Sequence, residues 1–285
     1  LDSMVNFKEL NRPYLIGEIG INHNGDLQIT KKLIDAVSAC SWDCAKFQKR
    51  DPDVCVPDHQ KDVLRDTPWG RIKYIDYKHK VEFQKQQYDY IDQYCKLKPV
   101  DWSASVWDLN SLEFLMQYEL PFIKIPSAMT TNETLVAETA KTGRPIIMST
   151  GMCELNEVDD AVNNVLKYNN NLVLMHTNSS YPTPKEEINL NLIPFLRERY
   201  DCPVGYSGHE EDLEPTVIAV ALGATVVERH ITLSHDMWGT DQKSSLEVMA
   251  MDILHKRVKD VNTILGSATK TVTESEIPIR KKLRG

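Results

Sequence analysis

Eight short apolar runs punctuate this chain, at 14–19, 44–48, 102–106, 122–125, 145–149, 172–177, 203–207 and 225–231, each followed by a stretch with helical spacing. Parallel strands need long crossover connections, usually helices, so the alternation specifies a parallel sheet. Eight such units in about 250 residues predict an α/β fold, a closed (β/α)8 TIM barrel in a single domain. Barrels of this kind place their chemistry at the C-terminal strand ends. Those ends carry Glu18, Lys46 with Gln48, Ser105, Lys124 with Ser127, Ser149, Ser179 with Tyr181, Ser207 with His209, and His230. A barrel that merely folds has no use for such a collection.

Charge narrows the partners. With 33 basic and 41 acidic residues the net charge is −8, which argues against nucleic acid or acidic membranes. An anionic ligand must therefore be held by a local cluster of cations. No apolar run approaches the roughly 20 residues that span a bilayer. The N-terminus, Leu1 to Leu10, is too polar for a signal peptide, so a cytoplasmic protein is expected. Six cysteines (Cys40, Cys44, Cys55, Cys95, Cys153, Cys202) form no C-x-x-C pair and are expected to be reduced thiols. Cys153, near a strand end, is expected to be buried as a small apolar residue.

The barrel is assigned to residues 1–270, and a basic arm, 271–285, is expected to pack outside it. Asp26 is a candidate N-cap, with Leu33, Ala36, Val37 and Cys40 at helical spacing behind it. Further helices are predicted near 81–96, 109–118, 132–142, 154–167, 188–199 and 214–222. The last long helix should align Met251, Leu254, Val258, Val261 and Leu265 before Gly266 stops it. One stretch breaks the rhythm: 50–80 is long, charged and interrupted by Pro52, Pro57, Pro68 and Gly70. At a catalytic face it reads either as a lid or specificity loop, or as a solvated insertion or oligomer contact.

Three constellations point to chemistry. His209, in Gly205-Tyr-Ser-Gly-His209, and His230, one strand later, can converge on one cation. Nitrogen ligands completed by carboxylate or water favour manganese, iron, cobalt or zinc. Lys46 and Lys124 flank Ser105, and a lysine in a barrel mouth is costly unless an anion pairs with it. With hydroxyls from Ser105, Ser127, Ser149 and Ser207, the two ammoniums suit a phosphate or phospho-carboxylate; snorkelling to solvent is the plainer reading for either lysine alone. Glu18 heads a polar loop suited to hydroxyl-rich ligands. Asp241, after the eighth strand, is either a proton carrier beside the metal or a turn residue.

Taken together, Glu18-Ile-Gly-Ile-Asn-His-Asn-Gly25, Lys46-Phe-Gln48, Lys124-Ile-Pro-Ser127, Ser149-Thr-Gly-Met152, Tyr181-Pro-Thr-Pro184, Gly205-Tyr-Ser-Gly-His209 and Glu228-Arg-His-Ile-Thr-Leu233 resemble the sialic acid synthase family over about 14–245. The resemblance implies condensation of phosphoenolpyruvate with an N-acylated aldose, giving a nine-carbon 2-keto acid and phosphate. It implies that Lys46, Ser105, Lys124, Ser127, Ser149, Ser179 and Ser207 hold phosphoenolpyruvate. Glu18, Gln48, Tyr181 and Asp241 would contact the sugar, with Glu18, Lys46, Lys124 and Asp241 catalytic. His209 and His230 would bind a divalent metal, usually manganese or magnesium. A homo-oligomer, dimer or tetramer, is expected.

Departures from the family concern the acceptor. Met129 stands where bacterial members carry a glutamate taken to face the sugar, Ser179 replaces an asparagine, and Gln242 a histidine. The family's antifreeze-like C-terminal domain, with its arginine, has no counterpart in the chain, so either a separate chain or the 50–80 loop is expected to compensate, or the sugar is recognised differently. The acceptor is then a mannosamine derivative, a diamino-trideoxy hexose of the legionaminic or pseudaminic type, or another aldose. An octulosonate- or heptulosonate-type synthase is the second reading. It would need a further cation near the mouth, with Lys49, Arg50 or Arg71 as candidates. A catalytically silent sugar-phosphate-binding barrel is the third.

Overall fold

Every one of the eight apolar runs is a strand in the computed structural model, which describes residues 5–285. The strands are β1 (Tyr14–Gly20), β2 (Cys44–Lys49), β3 (Leu64–Thr67), β4 (Gly70–Lys73), β5 (Asp101–Val106), β6 (Ile123–Ile125), β7 (Ile146–Ser149), β8 (Leu172–Thr177), β9 (Val204–Gly208) and β10 (Val226–His230). All but β3 and β4 close into a parallel barrel in chain order, β10 returning to β1. This is the TIM barrel, in one domain. Residues 1–4, part of the polar N-terminus, lie outside the described residues.

Side chains alternate along each strand, and the alternation builds the site. Tyr14, Ile16, Cys44, Phe122, Ile147, Val173, Met175 and Val226 form an apolar cluster, joined by Phe7. Two residues further along the same strands stand Glu18, Lys46, Lys124, Ser149, Thr177 and Glu228. The barrel interior therefore changes from apolar to charged within one side-chain layer. Gly205 belongs to this packing: a Cβ there would come within 2.5 Å of the Met175 sulfur and 2.4 Å of the Val226 carbonyl oxygen. The opposite faces of the strands bury Leu15, Ala45, Phe47, Ala104 and Val227 against the helices. Each aliphatic side chain fully buried there contributes about 1.5–3 kcal/mol.

Asp26 caps the first helix, Leu27–Ala39, accepting from the Gln28 amide, and Leu33, Ile34 and Val37 face inward. The predicted final helix is two: Val248–Lys259 and Val261–Leu265, divided at Asp260. Met251, Leu254, Val258 and Val261 are buried as expected, but Leu265 is 56 % exposed because the chain leaves the barrel there. The basic arm, 271–285, contributes no buried residue to the barrel. Every residue from Asn262 to Gly285 is exposed, including the helix Ile277–Arg284. Cys153 is half-buried rather than buried, and all six cysteines are free thiols. No helix among the described residues is long and apolar enough to cross a membrane.

The 50–80 segment is not a plain loop. It folds as two short helices, the antiparallel hairpin β3–β4, and the helix Tyr74–Val81. Period-2 reasoning misses the hairpin because its strands bury no face: six of its eight positions are exposed and two half-buried, and Gly70, with φ +96°, turns it. The segment lies across the catalytic face. Tyr77 packs edge-on against Trp238, with centroids 5.2 Å apart, and Gly25 lies directly beneath the Lys80 carbonyl.

Candidate active site

Inside the C-terminal mouth is a cavity of about 240 Å³ lined by Glu18, Lys46, Gln48, Ser105, Lys124, Ser127, Ser149, Ser179, Tyr181, Ser207, His209 and His230. Of the thirteen site residues predicted from sequence, Asp241 alone is outside this lining. Its carboxylate stands at the rim, 4.0 Å from His230 Nδ1. Trp107, Met152, Thr177 and Glu228 also line the cavity and were not predicted. Glu228 was legible: it lies two residues before His230 on one strand, so it shares the inward face.

Glu228 changes the reading of the lysines. Lys124 Nζ donates to its two oxygens at 3.0 and 3.1 Å, and Ser207 Oγ donates to it at 3.2 Å. Lys46 Nζ lies 2.5 Å from Glu18, 3.7 Å from Glu228, and donates to Ser105 Oγ at 2.8 Å. The sequence reading left the ammoniums awaiting a ligand; the protein supplies two carboxylates for them. Charge neutrality of this floor explains how four ionisable groups stay almost wholly buried. Burial pulls Lys46 down, but Glu18 and Glu228 overcome it and hold its pKa raised. For Lys124 burial prevails, aided by repulsion from Lys46, and its pKa is lowered. Burial would raise Glu228, yet Lys124 and Lys46 bring it down to about 2.

The serines form a cradle of neutral donors. The Gly151 amide donates to Ser127 Oγ at 3.0 Å. A Cβ on Gly151 would approach Ser179 Oγ to 2.3 Å and Ser127 Oγ to 2.7 Å, so only glycine keeps this wall open.

The two imidazoles are neighbours, with centroids 5.5 Å apart, and Tyr181 stacks on His209 at 4.0 Å. His209 Nδ1 donates to the Asn178 carbonyl at 2.6 Å, leaving Nε2 with its lone pair. Burial, with His230 nearby, lowers its pKa to about 3, so it is neutral and able to ligate. His230 Nε2 is 3.2 Å from the Tyr181 hydroxyl, and its Nδ1 is buried without a hydrogen-bond partner. Two imidazoles with an orphaned nitrogen and a nearby carboxylate suit a divalent cation by donor type, although no group of three ligating side chains is already gathered among the described residues.

Two expected departures from the family have structural explanations. Met129 does not line this cavity; it lies in a neighbouring one with Val54, Trp107 and Asn132, which removes it from direct contact with the floor. Gln242 is fully buried and holds the β10 loop, donating to Asn22 O and Trp238 O at 3.3 and 3.2 Å.

The profile of the NeuB family matches residues 33–270. The chain belongs to the NeuB family. It is a phosphoenolpyruvate-dependent sugar-acid synthase of that family. It is 36 % identical over 273 residues to human N-acetylneuraminate-9-phosphate synthase, covering 95 % of this chain and 76 % of the relative. It is 32 % identical over 282 residues to N,N'-diacetyllegionaminic acid synthase of Legionella pneumophila, covering 95 % and 78 %. The crystal structure of N-acetylneuraminic acid synthetase from Leptospira borgpetersenii superposes with a TM-score of 0.85 at 27 % identity, covering 96 % and 93 %. A truncated heptulosonate-7-phosphate synthase from Thermotoga maritima, 12 % identical with a TM-score of 0.69, shares the fold.

Proposed function

We propose that this NeuB-family member condenses phosphoenolpyruvate with an N-acylated or related aldose, giving a nine-carbon 2-keto acid and phosphate. The observation that carries this reading is the shared cavity: two buried ammoniums, a wall of serine hydroxyls and a pair of imidazoles face one space. Lys46 and Lys124 take the carboxylate and phosphate of phosphoenolpyruvate, with Ser105, Ser127, Ser149, Ser179 and Ser207 donating to the remaining oxygens. These donors are in place before the substrate arrives, which is what electrostatic stabilisation of a charged transition state requires.

The acceptor enters from the rim, where Gln48, Tyr181 and Asp241 meet its hydroxyls. C3 of the enol phosphate forms the new bond to the aldehyde carbon, and the aldehyde oxygen becomes a hydroxyl by taking a proton. Water adds at C2, the C2–O bond to phosphate breaks, and the ketone remains. Glu18, against Lys46 and accepting from Gln48 Nε2 at 3.1 Å, is placed to carry the proton lost by that water. His209 and His230 would hold a divalent cation, manganese or magnesium by family resemblance, which when bound polarises an aldehyde oxygen. Tyr181 orients His230, and the Asn178 carbonyl fixes the tautomer of His209. Holding both substrates together contributes through proximity.

The test is phosphate release from phosphoenolpyruvate by purified protein. Release should require both an aldose and a divalent cation. Turnover that survives exhaustive chelation would remove the cation from the reaction, and release without an aldose would remove the condensation.

A further inference from the structure

Behind the two imidazoles, on the outer side of the barrel wall, lies a buried ion pair that the reaction does not use. Arg229 on β10 and Tyr206 on β9 point away from the cavity, while their neighbours Glu228, His230 and Ser207 line it. Glu210 follows His209 directly. All three outward residues are buried, and Arg229 wholly so. A carboxylate and a guanidinium are costly to place inside a wall that apolar side chains could fill.

Their contacts form one closed network. Arg229 Nη1 lies 3.4 Å from Glu210 Oε1 and donates to the Asp212 carbonyl at 3.0 Å and to Thr216 Oγ1 at 3.2 Å. Its Nη2 donates to the Glu210 carbonyl. Tyr206 donates its hydroxyl to Glu210 Oε2 at 2.6 Å, and Thr216 Oγ1 donates to Glu210 Oε1 at 3.3 Å. Both carboxylate oxygens and the backbone carbonyl of Glu210 are thereby held. Gly208 makes room for the carboxylate to fold back: a Cβ there would stand 2.6 and 2.8 Å from its two oxygens.

The place of the network along the strands gives it a purpose. The β9–β10 ladder ends at the pair Gly208–Arg229, one residue short of both histidines. His230 remains paired with Glu18 of β1, whereas the tie from His209 to β10 runs through Glu210 and Arg229. The imidazoles stand with centroids 5.5 Å apart at the point where backbone pairing between their strands stops. We infer that Glu210 and Arg229 are positioning residues for the divalent cation, their buried pair fixing His209 relative to His230 at the spacing a shared ion needs. Metal–nitrogen distances tolerate only about 0.2 Å, so imidazoles on slack loops bind weakly. The inference rests on the reading that these imidazoles hold a cation, and adds what sets their separation.

The experiment titrates manganese into metal-free protein by calorimetry, with phosphoenolpyruvate titrated separately in the absence of metal. Arg229→Lys keeps the charge but cannot bridge Glu210, Asp212 and Thr216 at once. It should weaken manganese binding by about tenfold and leave phosphoenolpyruvate binding within about twofold, as expected for a group that acts through a ligand. Tyr206→Phe removes one hydroxyl from Glu210 and should cost about threefold in manganese affinity. This milder variant carries the test should Arg229→Lys fail to fold. Unchanged manganese affinity in the folded variant overturns the inference, because the imidazoles would keep their spacing without the pair. Parallel weakening of both ligands overturns it too, by making the pair a general support of the barrel. His230→Ala separates these outcomes from failure of the underlying reading. Unchanged manganese binding in that variant takes the cation away from the imidazoles, and the inference falls with it.

Discussion

On the cavity floor each ammonium touches a carboxylate, Lys46 beside Glu18 and Lys124 beside Glu228. On the insertion, Lys78 has no ion-pair partner among the described residues and lies 5.6 and 5.9 Å from the Tyr74 and Tyr77 rings, while Arg50 keeps a buried Nε without a partner. The floor is built from strand residues inside a closed barrel, and the rim from helices and turns of the 50–80 insertion. Paired charges hold their geometry before substrate binds, at the cost of competing with it. Unpaired charges bear the cost of burial alone. The contrast separates a preorganised centre from the segment folded over it.

The largest expected effect lies on the floor. Lys124→Met should lower kcat/KM by about a hundred- to a thousandfold, the range found when one donor to developing charge is removed. Steady-state phosphate release checks this, with circular dichroism to establish that the barrel persists. A near-normal rate would make the floor a structural ion cluster and leave the rim as the reacting region.

The next effect tests whether pairing alone sustains buried charge. Arg229 is wholly buried behind β10 and donates to Asp212 O at 3.0 Å, Thr216 Oγ1 at 3.2 Å and Glu210 Oε1 at 3.4 Å. It joins the residue after His209 to the residue before His230, so it ties together the two loops that carry the imidazoles. Arg229→Leu should cost about 3–5 kcal/mol in urea unfolding, because Glu210 would remain buried and uncompensated. Adding Glu210→Leu should recover part of the loss. A single variant of unchanged stability would show that this interior tolerates bare charge, and the contrast with the rim would fail.

The smallest effect is on pH dependence. His209 and His23 are held neutral by burial, each with its pKa brought down to about 3. In the unfolded chain both take up protons below about pH 6.5. The unfolded state then binds more protons, so stability falls as pH drops from about 6.5 towards 3. Glu228 adds in the same direction at lower pH: its contribution is present above the ordinary glutamate range and fades towards about 2. Urea midpoints between pH 7 and 4 should decline, and His209→Asn should flatten the slope. An unchanged slope would place a proton on His209 in the folded protein.

Much of the site was legible because its signals are local. Twelve of thirteen predicted residues line one cavity: eight stand on barrel strands, where alternation fixes the inward face, and Ser127, Ser179, Tyr181 and His209 lie just past strand ends at the mouth. Asp241 was less legible, since it lies in a turn after β10 where no period applies. The direction of Met129 was illegible for a related reason. It occupies a 3-10 turn after β6, where its spacing from Lys124 does not fix its direction. Lys78 was hidden among Lys73, Lys80 and the other charges of the insertion. Its sequence neighbours give no sign that helix Tyr74–Val81 turns this lysine inward.

By itself, the sequence determined the eightfold strand–helix order, the inward faces and hence the side-chain types at the mouth. Both repeat lengths, two and 3.6, are properties of a single segment and need no partner. Only the tertiary structure decided that Glu228 neutralises Lys124, that Asp241 stops at the rim, and that the helix Tyr74–Val81 buries Lys78. Those outcomes join residues separated by tens to more than a hundred positions. Barrel closure and the folded insertion set their distances, and electrostatic pairing depends on distance rather than on order along the chain.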